Sequence, residues 1–131
     1  MSSAQLSGFR MAIAGLSLFF LGLVLGFAVT VFPAIKPLLA AHQAALGSGT
    51  FLIASGAIWS IYLTSQARVL VPAICLSHYA LTATIALDGL SGTAHRIAGP
   101  LTGISCIAVT ATTLLLIVQF RRVPSTTPSK A

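Results

Sequence analysis

Acidic residues are almost missing from this sequence. Among 131 residues there is one, Asp88, against seven lysines and arginines, and charged residues make up only 6% of the chain. A water-soluble domain carries roughly 25% charged residues, so the composition is that of a membrane protein. A single acid also excludes the paired carboxylates of glycosidase-type acid–base chemistry. The chain has no Gly-rich phosphate loop, no CxxC pair, no HExxH helix and no lipidation motif. Its two cysteines, Cys75 and Cys106, fall in apolar runs without metal-type spacing and read as small buried hydrophobes. The net charge of +6 comes from cations scattered at segment ends rather than gathered on one face. That pattern speaks against a nucleic-acid partner and for the basic flanks of membrane helices.

What is present is apolar length. Hydrophobic residues make up 56% of the chain and its mean hydropathy is +1.00. Four runs, at about residues 8–32, 38–62, 67–90 and 97–120, are each long enough to span a hydrocarbon core of roughly 30 Å. The first is too long for a signal-peptide core and lacks a convincing cleavage site, so it is expected to be retained as a span. Short connections join the runs, among them PAIKP, held stiff by Pro33 and Pro37. The expected fold is therefore a single all-α domain: a multi-pass, up-down bundle of four transmembrane helices. Residues 121–131 read as a flexible tail by composition. Four spans place both termini on one side. That side carries Arg10, Arg68, Arg121, Arg122 and Lys130, against Lys36 and Arg96 opposite, which predicts cytoplasmic termini.

The most informative stretch is LLAAHQAALGSGTFLIASGAIWSIY, residues 38–62. Steps of seven from His42 land on Gly49 and Gly56, so histidine and glycines share one helical stripe. Such a stripe admits either another backbone or a flat ligand. Helix one has its own stripe, Gly8, Gly15, Gly22 and Gly26, of the kind that packs transmembrane helices. A third set of small residues, Gly99, Gly103, Cys106, Thr110 and Thr113, marks one face of helix four. One four-helix protomer has little interior, so a homo-oligomer using the glycine stripes is expected. Trp59 and Tyr62 are expected at headgroup level, where amphipathic aromatics collect.

Ionisable groups at membrane depth are functional candidates because holding them there is costly. The set here is His42, His78 and Tyr79, with Asp88 near a helix end and expected to pair with Lys36 or Arg96. His42 has two readings: a histidine bonded to a backbone carbonyl of the preceding turn, or an axial ligand of haem iron. In the second, the small residues Ala41, Ala45 and Gly49 would admit the edge of the macrocycle. His78 lies deeper by roughly 12 Å along the membrane normal. Two histidines on one iron need nitrogens about 4 Å apart, which disfavours a bis-histidine cytochrome.

The runs GLSLFFLGLVLG and AHQAALGSGTFLIASGAIW resemble the hydroxylaminobenzene mutase family and, more distantly, the membrane styrene oxide isomerases. The likeness is carried by the first two helices; in the last two it is one of hydropathy and order. It implies a small four-helix membrane isomerase that turns an arylhydroxylamine into an aminophenol, or an aryl epoxide into an aldehyde. In the epoxide branch a histidine, matched here by His42, holds haem b between the protomers of a trimer, with the iron acting as a Lewis acid. Where that branch has an asparagine six residues after the histidine, this chain has Ser48. Its helix-three aspartate falls near Ser77, and Tyr79 stands close to, but out of step with, its tyrosine. The residues and the resemblance together give His42 as metal ligand, Ala45 and Gly49 as cofactor contacts, and Ser48, His78 and Tyr79 as candidate catalytic residues. The implied partners are the lipid bilayer and a small hydrophobic aromatic substrate. Two other readings stand beside it: a non-catalytic or haem-binding, cytochrome-like membrane subunit, and a small transporter, against which the lack of a deep carboxylate counts.

Overall fold

Ser2 starts the first helix. Its hydroxyl accepts from the Gln5 amide while the Gln5 side chain accepts from the Ser2 amide, a reciprocal capping box. In the computed structural model, which describes residues 2–62, 69–90 and 95–121, helix α1 therefore runs from Ser3 to Val31, several residues earlier than hydropathy alone indicates. It ends at Phe32, whose backbone (φ −116°, ψ 89°) has left the helical region that a following proline disfavours. The PAIKP connection is a 3-10 turn, Pro33–Leu38, rather than an open loop. Helices α2 (Leu39–Tyr62), α3 (Leu70–Leu90) and α4 (His95–Arg121) follow. Pro72 lies in the first turn of α3, where its missing N–H has no intrahelical partner to lose.

All four helices are long and apolar enough to cross a membrane. They pack up-down, and large apolar side chains cover the outside: Phe20, Phe27, Ile61, Leu76 and Ile107 are each about 70% exposed. That surface suits lipid and no aqueous phase. The flexible tail, Arg68, Arg122 and Lys130 lie outside the described residues. So do the side chains of Lys36 and Arg96 on which the expected ion pair of Asp88 depends.

The tightest packing is between α1 and α2. A methyl group built on Gly8 would stand 2.5 Å from the Gly56 carbonyl oxygen. One on Gly15 would stand 2.7 Å from the Gly49 carbonyl oxygen, and one on Gly49 2.6 Å from the Phe19 amide nitrogen. No real side chain fits such gaps, so the two backbones touch along both stripes. The alternatives left open for the α2 stripe are thereby resolved: it carries another backbone. Met11 and Leu18, three residues after Gly8 and Gly15, point past the seam. There they join Ala45, Leu52, Trp59, Val71, Ile74 and Leu116 in the core.

Trp59, near the end of α2, is fully buried and meets Phe120 of α4 edge to face, ring centres 6.4 Å apart, so it anchors α4 to α2. The third helix is tied to α1 by the Tyr79 hydroxyl and to α4 by the Ser77–Thr112 pair. Cys75 packs on the core as expected, whereas Cys106 is exposed on α4. Gly47, Gly99 and Gly103 face outward with nothing within 4 Å of a built Cβ.

This contrast is testable. Gly15→Ala and Gly49→Ala should each cost about 1–3 kcal/mol through overpacking. Gly47→Ala should instead gain up to ~1 kcal/mol from helix propensity. Equilibrium unfolding in detergent micelles checks both signs.

Candidate functional site

His42 sits one turn into α2, on the face that meets α1. Its Nδ1 lies 2.7 Å from the Gly22 carbonyl oxygen of α1. A carbonyl can only accept, so Nδ1 carries a proton and donates, and any lone pair of the ring is on Nε2. The partner belongs to the neighbouring helix, not to the preceding turn of α2. Gly26 makes room for the ring: a Cβ there would stand 2.5 Å from Cε1 and 3.2 Å from Nε2. Step-seven spacing on α2 and the GLVLG run on α1 together build this seat.

An N–H held by a backbone carbonyl fixes tautomer and orientation, as it does for metal-ligating histidines. The donor atom therefore fits an axial haem ligand. The expected cradle does not lie open beside it. Ala41 and Ala45 are fully buried, and Gly49 lies directly under the α1 backbone. Within one chain, Ala45 and Gly49 hold a helix rather than face a macrocycle. Among the described residues, no three His, Cys, Asp or Glu side chains gather to hold a metal without one.

His78 is on α3, 5% exposed, with its ring stacked on Phe51 of α2 at 5.0 Å and 28°. Neither ring nitrogen has a hydrogen-bond partner among the described residues. Phe51 lies nine residues after His42, which is about 13.5 Å along α2 and half a turn round it. The two histidines thus occupy opposite faces of α2 at different depths, and one iron cannot take both within a chain.

The remaining candidates divide between the two faces. Ser48, 7% exposed, precedes Phe51 by one turn and shares its side of α2, so it stands with His78 and away from His42. Tyr79 donates to the Ala14 carbonyl of α1 at 2.9 Å, which makes it a strut between α3 and α1. Ser77 donates to the Ile74 carbonyl and meets Thr112 Oγ1 at 3.2 Å. Phe51, which the sequence reading passed over, becomes visible as a site residue only once α2 and α3 are in register. A groove of about 440 Å³ opens along the α1–α2 seam between Gln5, Gly8, Phe9, Gly56 and Ser60. Gly56 is some four turns of α2, roughly 21 Å, from His42, so this groove serves neither histidine.

Compared with known protein families, curated proteins and solved structures, the chain gives no match. The likeness described above rests on the residues of α1 and α2 that carry it.

If Tyr79 is a strut, Tyr79→Phe should lower stability by about 0.5–1.5 kcal/mol, the usual worth of one hydrogen bond. It should leave any ligand spectrum or turnover unchanged. Unfolding and spectra of the same preparation decide between strut and site.

Proposed function

We propose that the protein is an integral membrane isomerase that rearranges a small aromatic molecule drawn from the bilayer, with haem b held by His42. The observation that supports this reading is the state of His42. It is an imidazole at membrane depth whose Nδ1 proton is given to the Gly22 carbonyl, which leaves Nε2 as the nitrogen that a metal would take. Bound there, haem iron would supply Lewis acidity toward the N–O oxygen of an arylhydroxylamine or the C–O oxygen of an aryl epoxide.

The chain's own part is to hold and to exclude. Gly22 and Gly26 keep the ring in place, and the apolar surround keeps water from a reactive cationic centre. A rearrangement moves no net electrons, so no redox partner is required. Ser48 and His78 cannot reach a group on His42 from within the same chain, because α2 stands between them. The wall of a haem pocket would then come from a second copy, in keeping with a homotrimer. A non-catalytic, cytochrome-like subunit is the competing reading. It is favoured by the packing roles of Ala45, Gly49 and Tyr79.

The deciding measurement is the visible spectrum of detergent-purified protein, wild type beside His42→Ala. A Soret band present in the first and absent in the second is expected. Gly26→Val, whose side chain would occupy the ring's place, should weaken the same band. The wild type should then convert an arylhydroxylamine to an aminophenol, or an aryl epoxide to an aldehyde, without consuming oxidant or reductant. A colourless wild type after expression with ample haem would overturn the iron reading.

A further inference from the structure

We infer that His78 is the polar centre of a second binding site, between α2 and α3, that takes the hydroxyl group of a small neutral molecule. A neutral imidazole presents one N–H donor and one lone-pair acceptor. Here both are buried, and neither has a partner among the described residues. Leaving such a group bare is costly, and the hydrocarbon offers no bulk water to relieve it. A core position that only stacked on Phe51 would be served better by leucine or phenylalanine. The nearest hydroxyl on its own helix is no remedy, because Thr82 donates to the His78 main-chain carbonyl at 3.1 Å.

The two nitrogens call for a group that can both accept and donate. An ether, ketone or epoxide oxygen can serve only the N–H, and an ammonium only the bare nitrogen. A hydroxyl can accept from the one or donate to the other, and is a small group able to do so. Phe51 supplies a ring face beside it, and the buried Ser48 lies one turn away on the same side of α2. The hydroxyl can belong to an internal water or to an alcohol that dissolves in the bilayer. Neither source involves His42.

The test uses the full chain in micelles with ¹⁵N-labelled histidine, His78→Leu identifying the His78 signals. Without additive, the His78 ring should correlate with a bound water. Saturating phenol should remove that correlation and shift the ring nitrogens, whereas benzene, of the same outline without the hydroxyl, should do neither. A water signal that survives phenol assigns the hydroxyl to water; its replacement assigns it to an alcohol. No water signal and no response to phenol, or an equal response to benzene, would overturn the proposal. Should His78→Leu fail to fold, His78→Gln keeps one donor and one acceptor. Phenol should then raise its thermal midpoint as it does that of the wild type, with benzene again without effect. His42→Ala should leave the His78 signals intact, so this proposal and the iron reading fail separately.

Discussion

The contact between the backbones of α1 and α2 is the constraint on which the rest of the molecule depends. Lipid tails are as apolar as leucine, so transmembrane helices are held by close packing and by hydrogen bonds rather than by the hydrophobic effect. Two glycine stripes, each with a period of seven, run antiparallel and meet from Gly8–Gly56 to Gly15–Gly49. Their continuation brings His42 to Gly22 and Gly26. The same register turns Met11 and Leu18 toward α3, which supplies Val71 and Ile74 to the core they share. The fourth helix comes last, attached through Ser77–Thr112 and through Phe120 on Trp59.

Within this frame, most polar groups at membrane depth have structural duties. Ser17, Thr30, Thr50, Thr102 and Thr110 donate back to carbonyls one turn earlier, which satisfies hydroxyls in lipid without a second helix. Tyr79 and Ser77 link helices. His42 does the same through Nδ1, yet a ring has two nitrogens, and the bond that orients it engages only one of them. His78 has neither link. Its two ring nitrogens and the Trp59 Nε1 are buried without a hydrogen-bond partner among the described residues, and His78 alone of the two presents an acceptor as well as a donor.

The spans were legible in the sequence because a charge-poor, apolar run near twenty residues has few other uses, and the seven-step stripes were legible as stripes. What the α2 stripe accepts was not, since a helix and a flat ligand ask for the same row of small residues. Only the matching stripe on α1, brought into antiparallel register, distinguishes them. The burial of Trp59 is hidden for a related reason. An amphipathic ring near a helix end shows no partner until Phe120 is brought beside it. Tyr79 and Phe51 owe their roles to contacts between helices that no local pattern encodes. The early start of α1 was recoverable, because Ser2 followed by Gln5 at the right interval is a capping signal in its own right.

Helix α2 is thus both the carrier of the candidate site and the wall that divides it. His42 faces α1 near the start of the helix; Ser48 and Phe51 face α3 two turns deeper and half a turn round. A catalytic pocket that needed His42 and His78 together would require one of them to leave its seam, and the Gly22 bond and the Phe51 stack both oppose that. The arrangement keeps the two apart: a histidine bonded to the α1 backbone in the α1–α2 seam, and a second one, enclosed on the far face, whose ring nitrogens have no partner among the described residues. Communication between them would have to pass through α2 as a rigid body.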